Sequence, residues 1–386
     1  MSVSSSNTLS PLRSTEDSVH TTKHHSLSIP PELIDEIIDY LWDDKDALIA
    51  CSFVCQLFYL RTRVHLLHSI ELKHAPDDSA SQSILPYIKN ITIRRGASPI
   101  PSLAPFLSSL PNLTALILDS LQFPDPWSLH HLICQVPGLA SLELSAMRFR
   151  QDFLVELGSV GSGLLPKINK ISMWGTSFHA SVVEFLIHRR ELRAVYVDSL
   201  RELCVMYPPG EYLSSICAFV RAARSLRSLD IRIRQTMYRI NTISEWSTQP
   251  DVLPLTMRML KIEMECDRSC WHVKAMRWLL DSLIGANEPI MLETLTLVVV
   301  PPIFLYGIMD DNAWERNVWE RQWSRLDEIL TGSDMKMFRR LKVIPKPHAH
   351  IERFILEGPD FREWVRGRLP FLGGKGMLDI VTVCSS

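Results

Sequence analysis

The sequence predicts an α/β protein in which a short module of three helices is followed by a solenoid, with a curved parallel sheet on its concave side and helices on its convex side. Two observations predict this architecture. Residues 29–66 carry three helical patterns in succession, and the rest of the chain repeats a short motif, apolar-x-x-apolar-x-apolar, whose copies follow helical patterns. One such unit cannot bury its own apolar face, so neighbouring units are expected to stack and share a continuous core.

The composition excludes several classes of protein. The 386 residues are 46% hydrophobic and 22% charged, which is ordinary for globular domains. With a formal net charge of -2 and a pI of about 6.7, the chain has no overall basic field to attract nucleic acid or anionic lipid. Its most apolar window, Leu297–Met309, spans 13 residues and contains two prolines, too short to cross a bilayer. We expect neither a membrane nor a nucleic-acid partner.

The N-terminal residues and the cysteines indicate a compartment. Residues 1–28 are rich in serine, contain no glycine and lack the apolar segment of a secretory signal, so we expect a disordered tail. The eight cysteines are scattered along the chain. A reducing intracellular location, in the cytoplasm, the nucleus or both, with free thiols, is therefore predicted.

The helical module begins at Pro30 and Pro31, which suit a first helical turn because its amides need no acceptor within the helix. Asp43 or Asp44 is placed to cap a second helix, and a third pattern starts at Cys55. The first pattern has its apolar residues on one broad face: Leu33, Ile34, Ile37, Ile38 and Leu41. Three helices in fewer than fifty residues cannot bury all of this surface against one another, so part of it is expected to meet a partner.

Two segments of this module resemble the F-box motif. Ile29-Pro30-Pro31-Glu32-Leu33 is similar to its Leu-Pro-x-Glu-Leu beginning, and Cys51-Ser52-Phe53-Val54-Cys55 followed by Phe58 is similar to its Val-Cys-aromatic end. The sequence departs in Ile29 for leucine, in Gln56-Leu57 where basic residues are frequent and in Phe58 for tryptophan. The alternative is an unrelated helical hairpin.

The resemblance implies that residues 29–73 form an F-box that docks on the Skp adaptor subunit of a cullin-based ubiquitin ligase. The residues expected to contact the adaptor are Pro30, Leu33, Ile37, Leu41, Leu48, Val54 and Phe58.

The repeated motif follows at irregular steps of 24 to 35 residues from its third to its ninth copy. A strand plus a helix at such spacing is typical of leucine-rich repeats with insertions in the helical part. We expect the array over residues 74–345, then a last repeat and a cap over residues 346–386 that ends in the strand Leu378–Val383. The ten copies are Leu67/Ile70/Leu72, Ile88/Ile91/Ile93, Leu113/Leu116/Leu118, Leu139/Leu142/Leu144, Ile168/Ile171/Met173, Leu192/Val195/Val197, Leu226/Leu229/Ile231, Met257/Leu260/Ile262, Leu292/Leu295/Leu297 and Phe338/Leu341/Val343.

A doubly wound α/β sheet also alternates helices with strands and is the competing architecture. Two features count against it. No glycine-rich turn follows any strand, and polar residues occupy alternate strand positions, whereas a sheet covered on both faces has nearly continuous apolar strands.

Taken together, the two parts resemble the fungal-type F-box proteins with leucine-rich repeats over almost the whole chain. Trp323-Ser324-Arg325-Leu326-Asp327 and Arg368-Leu369-Pro370-Phe371-Leu372 are similar to their late repeats. The resemblance implies a substrate receptor: the F-box holds Skp and, through it, cullin, while the repeats hold a client protein. Catalysis then occurs in other subunits, so neither enzymatic activity nor a cofactor is expected. The alternative is a scaffold with no role in ubiquitin transfer.

Candidate chemical sites have simpler explanations. Cys266, Cys270 and His272 could approach one another around zinc, but a loop without metal is favoured. The glycine clusters Gly158–Gly163 and Gly373–Gly376 lack the context of phosphate loops and are expected to be turns.

Two clusters of large side chains have both a structural and a functional reading. The arginines Arg221, Arg224, Arg227, Arg232, Arg234 and Arg239 favour a solvated surface, and phosphate recognition on a client stays open. Trp319 and Trp323 share helical spacing with Leu326 and Leu330, which indicates core positions.

The client is expected on the concave face. Strand side chains alternate, so the residues that flank the last two apolar positions of each motif point there. An exposed tryptophan and tyrosine bordered by charged residues have the make-up of a binding hot spot. The alternative, of equal weight, is that Trp174 folds over the end of a repeat and Tyr196 packs on it. The candidate client-binding residues are Trp174, Tyr196, Asp198, Asp230 and Arg232.

Overall fold

The structure is a computed structural model. It describes residues 29–72, 83–94, 100–149, 165–174, 194–206, 213–234, 253–265, 269–285, 289–300, 313–346 and 361–381. The expected tail at 1–28 and the glycines between 158 and 163 lie outside these residues. The chain divides into two units, Met1–His65 and Leu66–Ser386. The division falls before the expected boundary at 73, because residues 69–72 pair with the sheet of the second unit.

The first unit contains the three expected helices, α1 (Pro31–Tyr40), α2 (Lys45–Ser52) and α3 (Gln56–Leu66). Helix α1 begins at the predicted proline pair. Of the two aspartates proposed as caps, Asp44 caps α2, since its Oδ1 accepts the Ala47 N–H at 2.9 Å. Ile34, Ile38 and Leu48 form the buried apolar core of this unit.

Ionic contacts join α1 to α3. Both carboxylate oxygens of Asp39 accept from Arg61 Nη2 at 2.8 Å, and His65 Nε2 lies 2.8 Å from Asp39 Oδ1. Asp35 lies 3.4 Å from the same guanidinium. The hydrogen bond from Arg61, and then that from His65, lower the pKa of Asp39 below its ordinary value. These contacts fix which flank of α1 faces α3.

The second unit is built on a parallel sheet of eleven strands, with a separate two-stranded sheet formed by β4 and β6. In chain order the strands are β1 (Ser69–Leu72), β2 (Asn90–Arg94), β3 (Ala115–Asp119), β4 (Gln122–Phe123), β5 (Ser141–Ser145), β6 (Arg148–Phe149), β7 (Lys170–Trp174), β8 (Glu202–Met206), β9 (Ser228–Arg234), β10 (Met259–Glu265), β11 (Thr294–Val299), β12 (Arg340–Pro345) and β13 (Leu378–Ile380). In the large sheet the spatial order follows the chain order without reversal. A doubly wound sheet reverses its order at a switch point, so that alternative is wrong.

One hydrogen-bonding pattern recurs at the start of the strands. A carbonyl just before a strand accepts two consecutive N–H groups from the segment that opens the next strand of the large sheet, at 2.8 to 3.2 Å. The accepting residues are His68, Lys89, Thr114, Ala140, Asn169, Arg201, Arg227, Arg258 and Glu293. Equivalent positions therefore make equivalent bonds despite the irregular spacing along the sequence, which is what a stack of structural repeats requires.

The sheet is covered on one face. Strands β2, β3 and β5 alternate between buried and partly exposed residues, with Leu116 and Leu118 fully buried and Ile117 between them half-buried. The buried residues of successive strands join one apolar core together with residues of the helices. We call the other side, which carries the intervening residues, the open face. The helices are α4 (Ile100–Ser108), α5 (Pro126–Cys134), α6 (Leu213–Ala222), α7 (Ser269–Ile284), α8 (Ala313–Thr331), α9 (Phe361–Arg368) and α10 (Pro370–Gly374).

The expected strand at Leu192/Val195/Val197 is wrong. Residues 194–196 form a helical turn, and the sixth repeat contributes β8 instead, on the equally good motif Leu200/Leu203/Val205. Val195, Tyr196 and Val197 are all buried. The repeated carbonyl contact decides the register, because Asn169 O accepts the N–H groups of Arg201 and Glu202.

The C-terminal strand and helices complete this unit. Of the strand predicted at Leu378–Val383, Leu378–Ile380 are present as β13, which pairs with β12 at the end of the described sheet, and Thr382 and Val383 lie outside the described residues. Helix α10 begins at Pro370, and its next two N–H groups, those of Phe371 and Leu372, each donate to a carboxylate oxygen of Asp327 at 2.8 Å. Asp327 on α8 is itself buried, so the two segments singled out near the C-terminus meet through this cap.

Candidate functional site

The first unit has more apolar residues than its core can accommodate. Most of the exposed large hydrophobic side chains in the described chain belong to it: Ile29, Leu33, Ile37, Tyr40, Trp42, Ile49, Phe53, Val54, Leu57, Tyr59 and Leu60. Isolated exposed apolar residues are ordinary, whereas this density over some thirty residues marks an interaction surface.

The predicted adaptor contacts differ in accessibility. Leu33, Ile37 and Val54 are 49%, 46% and 66% exposed. Pro30 is exposed as well, and Leu41 and Phe58 are half-buried. Leu48 is 1% exposed and belongs to the core, so its expected place on the contact surface is wrong.

Helix geometry places Leu33 and Ile37 on one stripe of α1. At 3.6 residues per turn, these residues lie on one flank of the buried Ile34–Ile38 stripe, and Asp35 and Asp39 lie on the other. The aspartates contact Arg61 of α3. The exposed stripe of α1 therefore lies on the flank away from α3 and is available to a partner.

The second surface is the open face of the sheet. Trp174 ends β7 and is 40% exposed, as predicted. The register β9–β10 places Asp230 opposite Lys261 and Arg232 opposite Glu263, which is the arrangement expected from the sequence.

These charged residues neutralise one another. Lys261 Nζ lies 3.0 Å from Asp230 Oδ2, and Arg232 Nε lies 3.3 Å from Glu263 Oε2. Lys346 adds a 2.8 Å contact to Glu263. Burial disfavours the charged form of Arg232, but Asp230 and Glu263 outweigh it and raise its pKa. The guanidinium is therefore held by carboxylates, which weakens the hypothesis that it recognises phosphate.

Two predicted client-binding residues do not lie on the open face. Tyr196 is 3% exposed, and its hydroxyl lies 3.3 Å from Nδ1 of the buried His130 on α5. Burial is the largest cause of the raised pKa of Tyr196. Asp198 is exposed in the turn before β8. Both placements were wrong for the same reason, since they followed from the mistaken strand.

In their place the sheet brings Cys204 and Met206 of β8 next to Ser172 and Trp174. Burial raises the pKa of the Cys204 thiol to about 11.

Sequence reasoning missed Glu143, the central open-face residue of β5. It is flanked by the buried Leu142 and Leu144 and lies between Ile117 of β3 and Ser172 of β7. Burial, and then the nearby Asp119, raise the pKa of its carboxyl group, and Lys170 partly offsets them. The signal was present in the motif Leu139/Leu142/Leu144, because the residue between its last two apolar positions must point to the open face.

The other sequence clusters have structural roles where they are described. Trp319 and Trp323 are buried on α8, as expected, with their rings 5.6 Å apart and edge to face. Gly373 and Gly374 lie in α10 rather than in the expected turn, and Gly376 follows this helix in a turn with a φ of 68°. Cys270 lies in α7 rather than in a loop, and Cys266 is outside the described residues.

Among the described residues no group of three or more His, Cys, Asp or Glu side chains is arranged to hold a metal ion. None of the described helices combines the length and the apolar character that crossing a membrane requires.

A scan against protein-family models and a search of the curated proteins found no match to this chain. The exposed apolar residues of the first unit and the open face of the sheet are the two candidate functional surfaces of the described chain.

Proposed function

We propose that this protein is the substrate-recognition subunit of a Skp-cullin-F-box ubiquitin ligase. Its first unit would be a divergent F-box that docks on the Skp adaptor, and its second unit would be a leucine-rich-repeat solenoid that binds the client. The observation that carries the proposal is the exposed apolar surface of a folded three-helix unit whose sequence resembles the F-box motif. Such a surface has a function only when a partner covers it.

The one-sided sheet supports the receptor role. Its buried face holds the unit together, which leaves an extended row of side chains on the open face to meet a client. The raised pKa of Cys204 disfavours its reactive thiolate form. This supports a binding role for the open face in the proposal.

Co-purification from cells tests the proposal. We expect the tagged full-length protein to retain the Skp subunit and cullin, and the double variant Leu33→Ala/Ile37→Ala to lose both. Each leucine or isoleucine removed from a buried interface weakens binding by about 1.5–3 kcal/mol. Both side chains are exposed in the free unit, so the variant is expected to remain folded.

Met337→Ala is the matched control, because Met337 is also an exposed apolar residue but lies in the second unit. It should retain Skp and cullin. Wild-type protein that purifies without any Skp subunit would overturn the proposal. Retention of Skp without cullin would instead favour a scaffold with no role in ubiquitin transfer.

A further inference from the structure

The open face carries a carboxylate, that of Glu143, that makes no ion pair within the described residues. The other acidic residues of this face whose side chains the structure describes are paired: Glu71 and Asp119 with Arg94, Glu202 with Lys170, Asp230 with Lys261, Glu263 with Lys346, and Asp379 with Arg340. The carboxylate of Glu143 makes no hydrogen bond in this part of the chain either. Lys170 offsets its negative charge only in part.

The surroundings of Glu143 make this unusual. The side chain is half-buried between Ile117 and Ser172, neither of which carries a charge. A carboxylate that loses water without gaining a partner costs free energy, and the raised pKa of this group has burial as its largest cause. Lys170, the nearest cation on the next strand, pairs with Glu202 instead, at 3.5 Å. A cation from another molecule would complete the site.

An exposed aromatic ring lies beside this carboxylate. Ser172 lies opposite Glu143, and Trp174 lies two residues further along β7. The Cα atoms of Glu143 and Trp174 are therefore about 8 Å apart, and both residues belong to the same face of the sheet. The carbonyl of Trp174 accepts the Ala146 N–H at 2.9 Å, which fixes its backbone. The intervening positions on this face are the small residues Ser145 and Ser172. A serine side chain is short, so a ligand side chain that reached both the ring and the carboxylate would lie over these two positions.

We propose that Glu143 and Trp174 form a receptor for an arginine side chain of the client protein. A guanidinium can stack on the indole face and at the same time donate two parallel hydrogen bonds to a carboxylate. Lysine can satisfy the charge but not the planar stacking, and a phosphorylated side chain is repelled by Glu143 and Asp119. This inference deepens the client-binding half of the proposed function and rests on it.

Peptide binding to the full-length protein tests the inference. The probes are fluorescein-labelled peptides of three Gly-Ser-Arg repeats, with Gly-Ser-Lys and Gly-Ser-Gln peptides of equal length, followed by anisotropy at low salt. We expect the arginine peptide to bind most tightly. Glu143→Gln and Trp174→Leu should each weaken it by roughly fivefold, the loss expected for one ion pair or one cation–π contact.

Glu202→Gln is the matched control, since Glu202 lies on the same face but is already paired with Lys170. It should leave arginine binding unchanged. A second measurement guards against misfolding: removing an unpaired charge should leave the melting temperature of Glu143→Gln equal to or above that of the wild type, whereas a purely structural role would lower it.

The outcomes separate the two proposals. If wild-type protein does not prefer the arginine peptide, or if Glu143→Gln binds it as the wild type does, the inference is wrong even when Skp co-purifies. If the arginine preference is present and depends on Glu143 but Skp does not co-purify, the ligase function is wrong and the arginine site stands.

Discussion

At the scale of single residues, a buried polar side chain also holds the fold, although the core is mainly apolar. Asp327 is 1% exposed, yet both its oxygens accept backbone N–H groups of α10. The residue that precedes this helix, Leu369, has no side-chain group able to cap it. A carboxylate from a helix distant in sequence therefore supplies the cap that the local sequence lacks.

Replacing this carboxylate is expected to be costly. Asp327→Ala leaves one buried and one part-buried N–H group without acceptors and should lower the free energy of unfolding by about 2–4 kcal/mol. Asp327→Asn, which keeps one acceptor, should lose less. Urea unfolding of both variants measures the difference, with the exposed neighbour Glu328→Ala as the control. A stability of Asp327→Ala within about 0.5 kcal/mol of the control would contradict the capping role.

The buried thiols should be chemically protected. Burial raises the pKa of Cys217 on α6 to about 11, and that of Cys134 on α5 to about 11. The folded state favours the neutral form of the Cys217 thiol. The contribution of this thiol to the stability of the fold is therefore complete below the ordinary pKa of a cysteine and is lost as the pH rises through about 11.

At pH 8 we therefore expect iodoacetamide to alkylate Cys217 more slowly than the exposed Cys55. Site-resolved mass spectrometry measures both rates, and the same protein in urea provides the control. Equal rates for Cys217 in the folded and unfolded chain would show that the thiol is accessible.

At the scale of elements, the amphipathic helices of the first unit divide their apolar residues between a core and a surface. Ile34 and Ile38 of α1 pack inward while Leu33 and Ile37, one position away, are exposed. The same division occurs on α2, where Leu48 is buried and Ile49 is 47% exposed. Residues of one chemical type thus have different positions, one set in the core and the other on the surface to which we assign partner binding.

This division can be tested on α2. Leu48→Ala should destabilise the first unit by about 2–5 kcal/mol, because it opens a cavity in a small core. Ile49→Ala should change the stability little, because its side chain is already in water. Hydrogen exchange of the amides in residues 31–66 of the full-length chain measures both effects. Faster exchange in Ile49→Ala than in Leu48→Ala would reverse the assignment of core and surface.

At the scale of the whole molecule, the eleven-stranded sheet gains its stability from neighbouring repeats. Each strand of its interior pairs with the strand of the previous and of the next repeat, as β10 does with β9 and β11. An isolated repeat has an unpaired strand on each side and an uncovered core. We therefore expect the sheet to tolerate removal of the residues that follow its last strand, β13, but not removal of strands from its interior.

Truncation tests this expectation. A chain that ends after Ile262 loses β11, whose Leu295 and Leu297 pair with Leu260 and Ile262, and should aggregate. A chain that ends after Val381 keeps β13 and should behave as the full-length protein does. Light scattering and thermal melting compare the two. A soluble, monomeric chain ending at Ile262 with unchanged melting would contradict the dependence on stacking.

The sequence by itself determined which segments are strands at nine of the ten repeated motifs, the three helices of the first unit and the closing strand. These follow from local periodicity, because alternation of apolar residues commits a segment to a one-sided strand. The position of β8, the strand of the sixth repeat, could not be predicted, since Leu192/Val195/Val197 and Leu200/Leu203/Val205 satisfy the same pattern.

Only the tertiary structure chose between those two segments, through the hydrogen bonds of Asn169 to the segment that opens β8. That choice buried Tyr196 against His130 and placed Met206 beside Trp174. Tertiary packing also decided that, within the described residues, Glu143 makes no ion pair while the nearby Asp119 and Glu202 each make one. Ion pairs and burial depend on residues that are far apart in sequence and adjacent in space, so no local pattern encodes them.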